Sequence, residues 1–103
     1  MALGSSQAPA SFDHGEKTSI GATALQLVAA SLPIQVGIEI RADAANGAAF
    51  IYVGNSDVTA GGTDATDGFK LAAGERLFLA VDDVFKVWVI GSTTGLAVSW
   101  IAS

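Results

Sequence analysis

Cysteine is absent from the 103-residue chain, and charged side chains and histidine are scarce. Without cysteine, neither a disulfide nor a thiolate metal site can form. The single histidine, His14, lies in a polar segment, and no serine or threonine has a plausible local base. A Ser-His-Asp or Cys-His arrangement therefore cannot be assembled. The composition predicts a protein that is not an enzyme and that carries no cofactor.

Basic residues and long apolar runs are also few. Five Lys and Arg face ten Asp and Glu, which gives a net charge of −5, and the basic residues are scattered along the chain. Binding to phosphate needs clustered basic side chains. Gln26, Ser31 and Pro33 interrupt the most continuous apolar stretch, which is far shorter than the about 18 to 20 residues of a membrane helix. We expect no nucleic-acid partner and no membrane partner.

The first 18 residues differ in composition from the rest, being rich in Gly, Ser, Ala and Pro. They lack the basic and apolar regions of a secretion signal, so we expect synthesis in a cytoplasm. Residues 1–18 are predicted to form an N-terminal arm, and residues 19–103 a single domain. Two alternatives stay open for the arm: a frayed tail, or a segment ordered by a neighbouring subunit with Leu3 and Phe12 as anchors.

The remainder of the chain is a series of short apolar segments separated by Gly, Asp, Asn, Ser and Thr. Ile34 to Arg41 alternates apolar and polar residues, as a half-buried strand does. Residues 18–28 indicate a bulged strand, with a short helix as the alternative. About seven or eight strands at a spacing of about 8 to 12 residues are typical of a sandwich. The predicted fold class is all-β, a small antiparallel β-sandwich or jelly-roll-like domain.

Half of the residues are hydrophobic and only 15% are charged. The last two strands are apolar on both faces, and an exposed strand of that kind invites association. We therefore predict that one face fills the core and the other contacts a neighbour. Which of the two tryptophans faces which side is left open. The residues predicted for an interface with a second subunit or another protein are Leu3, Phe12, Phe85, Trp88 and Trp100.

Residues 55–68 are predicted to form a long surface loop that contains Asp57, Asp64 and Asp67. Carboxylates of this kind bind calcium in other proteins, but their spacing is not that of an EF-hand. Asp, Gly and Thr are also ordinary turn residues. No metal site is predicted, and calcium binding by this loop stays an open alternative.

The segments IRADAANGAAFIYVGNSDVTAGG and GFKLAAGERLFLAVDDVFKVWVIGS resemble a pattern found in small virion proteins of tailed bacteriophages. In this chain the pattern comprises Asn46-Gly47, residues 51–54, residues 57–59, residues 68–75 and residues 87–91. The likeness covers about the C-terminal two thirds of the chain, and the N-terminal arm is not matched.

The resemblance implies a capsid decoration (cement) protein or head-fibre protein, built as a β-sandwich and assembled as a homotrimer. Its implied partners are copies of itself and the major capsid protein. Its implied location is the capsid surface of a virion assembled in the host bacterium. A tail or fibre accessory protein is the first alternative. A carbohydrate-binding module, which would use Tyr52, Trp88 and Trp100, is the second.

Overall fold

The computed structural model describes residues 12–103, which fold as an all-β domain. The eight strands are β1 (Asp13–Ile20), β2 (Leu25–Gln26), β3 (Ile38–Ala42), β4 (Phe50–Gly54), β5 (Phe69–Ala72), β6 (Arg76–Leu79), β7 (Trp88–Gly91) and β8 (Leu96–Ala102). Two three-residue 3₁₀ turns, Ala44–Asn46 and Val84–Lys86, are the helical segments of this range. No helix in it is long and apolar enough to cross a membrane.

The strands form two four-stranded antiparallel sheets. Sheet I has the order β1-β8-β3-β6, and sheet II has the order β2-β7-β4-β5. The first strand therefore pairs with the last, the second with the seventh, the third with the sixth and the fourth with the fifth. This nested pairing is the strand order of a jelly-roll sandwich. The predicted fold class, an antiparallel β-sandwich, is confirmed.

The core lies between the sheets and is built by period-two alternation along each strand. On β3, Ile38 and Ile40 are fully buried, whereas Glu39 and Arg41 point to the outer face of sheet I. Each such aliphatic side chain contributes about 1.5 to 3 kcal/mol when removed from water. The larger members of the core are Ile20, Leu27, Ile38, Ile40, Ile51, Val53, Leu71, Val84, Val87, Val89, Leu96, Val98 and Trp100.

The N-terminal part of the domain differs from the prediction. Residues 13–18, assigned to the arm, belong to β1 and pair with β8 in sheet I. The single strand expected over residues 18–28 is two strands in different sheets. The chain changes direction after a register irregularity between Lys17 and Ile20, where Ser19 has a φ of 57°. The first eleven residues, with Leu3, lie outside the described residues.

The alternating segment Ile34 to Arg41 is a strand only from Ile38 onward. The backbone N–H groups of Gln35, Val36 and Gly37 all donate to the carbonyl oxygen of Ser103, at 3.2, 2.7 and 3.1 Å. Gly37 has a φ of 153°, and a Cβ there would lie 2.3 Å from the carbonyl oxygen of Leu79. A glycine is required at this bend because any side chain would collide with the neighbouring strand.

Candidate interaction surfaces

The outer face of sheet II is apolar and is covered by the chain's own loop. Tyr52 and Ile90 are cross-strand neighbours on this face, yet only 8% and 7% of their surfaces are exposed. Residues 55–68 fold back across them and bury Val58. The cluster so formed comprises Ala24, Phe50, Tyr52, Val58, Ala60, Trp88 and Ile90. The segment predicted as a surface loop thus supplies a second, smaller apolar core.

Two glycines let this loop approach the sheet. A Cβ on Gly54 would lie 2.8 Å from Cγ2 of Val58, and one on Gly68 would lie 2.6 Å from the same methyl group. The loop is also closed by hydrogen bonds. Oδ1 of Asp67 accepts from the Thr59 hydroxyl at 2.7 Å, and its Oδ2 accepts from the backbone N–H of Asp64 at 3.0 Å. These bonds, led by that from Thr59, hold the pKa of Asp67 below its ordinary value.

The acidic loop has the geometry of a braced turn. Besides the bonds of Asp67, the backbone N–H of Asp57 donates to the Asn55 side chain at 3.0 Å, which is an Asx-turn. Within residues 12–103, no three His, Cys, Asp or Glu side chains come close enough together to hold a metal ion. The described geometry therefore gives calcium no assembled ligand set, and it explains Asp67 as a structural carboxylate.

The outer face of sheet I is open to solvent across the described residues. The strand register places its outward side chains in two rows across the four strands. One row runs His14, Ile101, Glu39, Phe78, and the other runs Glu16, Ser99, Arg41, Arg76. Phe78 is 56% exposed and Ile101 is 47% exposed. We call these eight residues the open face.

Electrostatic contacts on the open face are loose. Nη1 of Arg76 lies 3.5 Å from Oε2 of Glu39, and both side chains are substantially exposed. Arg41 stands directly opposite Arg76, and like charges in that position repel. A depression of about 210 Å³ lies between these three charged side chains, Ser99 and Ile101. The open face thus combines exposed apolar side chains with charges that are free to take further partners.

The structure separates the two tryptophans that were predicted for an interface. Trp100 points into the core and is 7% exposed, so its ring packs mainly against its own chain. Its ring lies across Gly15, where a Cβ would come within 2.8 Å of Cζ2. Trp88 is on the outer face of sheet II, partly buried beside the covering loop. The inward position of Trp100 leaves little of its surface for a neighbour.

The phenylalanines predicted for an interface are at the surface. Phe12 is 62% exposed just before β1, and Phe85 is 36% exposed in the second 3₁₀ turn. Phe85 is held there by Asp83, whose carboxylate accepts from the backbone N–H groups of Leu32 at 2.7 Å and Phe85 at 3.0 Å. It also accepts from the Ser31 hydroxyl. Phe85 therefore projects from a fixed turn.

Asp83 is the one charged residue that is buried in the described chain. Its burial acts to raise its pKa, but the hydrogen bonds from Ser31, Leu32 and Phe85 outweigh that effect and hold the pKa below its ordinary value. The carboxylate is thus charged at neutral pH and joins residues 31–32 to the second 3₁₀ turn. A β-bridge between Pro33 and Asp83 connects the same two segments.

The open face was not singled out from the sequence, although part of the signal was there. The parity of β8 places Ile101 on the side opposite Trp100, and the parity of β3 places Glu39 and Arg41 together. No sequence pattern shows which of two apolar faces another part of the chain will cover. That information lies in the path of residues 55–68.

The fold and these surfaces define a small jelly-roll sandwich with one covered and one open outer face. No family model matches the chain, and no curated protein or solved structure is significantly similar to it. The case for a function consequently depends on the surfaces themselves.

Proposed function

We propose that the chain is a structural virion protein that binds the outside of a phage capsid and stabilises it. The observation that carries this proposal is the position of the phenylalanines. The chain has five, and the four that are well exposed are Phe12, Phe69, Phe78 and Phe85. Phenylalanine usually fills cores, whereas here Ile, Val and Leu do so. Exposed aromatic and apolar side chains are the groups that a protein partner covers.

A capsid decoration protein needs such groups, because it adds buried area across the joints between shell subunits. The copies present on a shell also act together, so individually weak contacts sum to substantial stability. The jelly-roll order is compatible with this role, since it is found in viral capsid proteins. It is also found in lectins and cupins, so the fold by itself does not select a function.

The proposed partners are the major capsid protein and further copies of the chain, assembled as a homotrimer. The surface available to them includes Phe85 and the exposed part of Trp88, which lie near each other in the chain. Gln26, the cross-strand neighbour of Trp88, donates from Nε2 to the carbonyl oxygen of Phe85 at 2.6 Å. Gln26 thus links the backbone of the turn that carries Phe85 to the edge of sheet II beside Trp88.

A role in the phage tail or in a fibre is the alternative within the same class. A carbohydrate-binding module is less well supported by the geometry. Such a module stacks sugars on exposed aromatic rings, but Trp100 is in the core and Tyr52 is covered by the loop. Only Trp88, partly buried, is left of the three rings first considered for that role.

The copy number in purified particles of the phage that encodes the chain tests the proposal. A decoration protein is present in hundreds of copies set by the shell symmetry, as measured by quantitative mass spectrometry against the major capsid protein. A handful of copies would assign the chain to the tail, and its absence from particles would overturn the virion role. Phe69→Ser and Phe85→Ser should reduce occupancy on shells. Ser56→Ala, an exposed loop change, is the control.

A further inference from the structure

The open face has an acidic side and a basic side. Along the polar row, Glu16 is on edge strand β1, whereas Arg76 is on the opposite edge strand β6, with Arg41 beside it. Glu39 is the remaining charged residue of this face apart from His14. With two carboxylates and two guanidinium groups, the open face is neutral when His14 is neutral.

The rest of the molecule is different, because the chain carries a net charge of −5. Two of the other three basic side chains are engaged elsewhere. Lys70 lies over the Phe50 ring, 4.0 Å from its centroid, and Lys86 pairs with Asp82 at 2.7 Å. Two copies of this protein repel each other over most approaches. The open face is the surface on which that repulsion is absent.

We propose that two copies pack their open faces against each other about a two-fold axis parallel to the strands. Such an axis reverses the strand order, so that β1 of one copy lies over β6 of the other. Glu16 then meets Arg76 of the second copy, and the same pair forms again by symmetry. A two-fold interface must be self-complementary in this way.

The same axis also sets the positions of the apolar side chains. A two-fold axis along the strands keeps each row over its own counterpart in reversed order, so Phe78 lies over His14 of the second copy and Ile101 lies over Glu39. An axis perpendicular to the strands would instead place Phe78 over Arg76 of the second copy, which separates Glu16 from Arg76 and buries a guanidinium group against an apolar ring. Val36, 49% exposed, precedes Gly37, against which the Phe78 ring packs.

The area predicts a weak contact. Four strands at about 4.8 Å spacing and about five residues at about 3.4 Å cover roughly 330 Å² per copy. A stable standard-size interface buries about 800 Å² per partner. The contact should therefore be concentration-dependent in solution and should become strong where copies are held close together, as on a surface. It is separate from any three-fold contact through sheet II.

Sedimentation velocity on the full-length protein tests the inference without any other partner. We expect the mean mass to rise with concentration between about 10 μM and about 1 mM, the range for a small interface. Glu16→Arg and Arg76→Glu should each weaken association at least about fivefold, because each places like charges together twice. The double variant should recover association close to that of the unchanged protein.

Controls with equal charge changes lie away from the open face. Asp64→Arg matches Glu16→Arg, and Lys70→Glu matches Arg76→Glu; neither should weaken association beyond the effect of net charge. Melting curves establish that each variant is folded. A mass that does not change with concentration would overturn the inference. Folded single variants that associate as well as their controls, or a folded double variant without recovery, would also overturn it.

Discussion

The two outer faces of this sandwich both carry large apolar side chains, but only one is covered by the chain itself. On sheet II, Tyr52 and Ile90 lie beneath residues 55–68. On sheet I, Phe78 and Ile101 have no such cover within the described residues. The difference is one of connections. The loop between β4 and β5 is long enough to return across its own sheet, whereas no loop of the described residues covers Phe78 and Ile101 on sheet I.

This difference shows that an apolar strand face does not by itself indicate a subunit contact. The apolar outer side of β7 predicted contact with a neighbouring subunit, but much of it is covered by the chain itself. The face with charges interspersed among fewer apolar residues is the one that remains open. A face that will be covered permanently can be wholly apolar, whereas a face that must stay soluble until it meets a partner needs charges.

Removing the cover of sheet II should give the largest effect. Gly68→Ala places a Cβ 2.6 Å from both the Val53 carbonyl oxygen and Cγ2 of Val58, so the loop must move. We expect a loss of about 1 to 3 kcal/mol in the free energy of unfolding. Urea denaturation measures it, and dye binding to the uncovered face should increase.

Gly61→Ala is the matched control for that change. It lies in the same loop, where a Cβ meets nothing within 4 Å, and its stability should stay within about 0.5 kcal/mol of the unchanged protein. If Gly68→Ala were equally neutral and bound no more dye, the loop would not be a packed cover.

Truncation of one apolar side chain on each face compares the two surfaces directly. Val58→Ala removes buried methyl groups and should cost about 1 to 2 kcal/mol. Ile101→Ala removes more atoms from an exposed position and should cost less than about 0.5 kcal/mol in dilute solution. Equal costs in urea denaturation would mean that the open face is covered in solution. Repeating the measurement at high concentration separates cover by a second copy from cover within the chain.

The sequence predicts the fold well, because each strand is short, apolar and bounded by turn residues. It does not predict β1, since Asp13 to Thr18 is polar on both faces. That strand forms because Gly15 leaves room for the Trp100 ring and because β8 offers a free edge to pair with. Trp100 and β8 lie about 85 residues further along the chain than β1, so no local pattern reveals this strand.

The surfaces are less predictable than the strands for a related reason. Alternation assigns residues to two sides but does not name the buried side when both are apolar. On β8, the larger side chains Leu96, Val98 and Trp100 form the buried side. Covering by Val58 could not be anticipated because it is a single apolar residue among turn residues, and its burial depends on Gly54 and Gly68.

Acid should loosen the cover of sheet II by protonating Asp67. The folded pKa of Asp67 is below its unfolded value, chiefly through the Thr59 hydroxyl. Its contribution to stability is therefore complete above the ordinary aspartate pKa of about 3.9 and is lost as pH falls through the folded value. Asp67→Asn should flatten this part of the stability-pH curve. If the dependence of stability on acid pH did not change in this variant, Asp67 would not be the residue that holds the loop closed.

The smallest expected effect comes from changing Lys70, beside the outer face of sheet II. Phe50, on that face, is only half-buried. Lys70 lies over this ring on the neighbouring strand, and a cation in that position contributes about 0.5 kcal/mol at an exposed site. Lys70→Met keeps the length of the side chain but removes its charge, so urea denaturation should show a loss of that size. Lys17→Met, on edge strand β1, is the control. If the two variants were equally stable, the cover of sheet II would consist of residues 55–68 alone, and the contrast with the open face would depend on one loop.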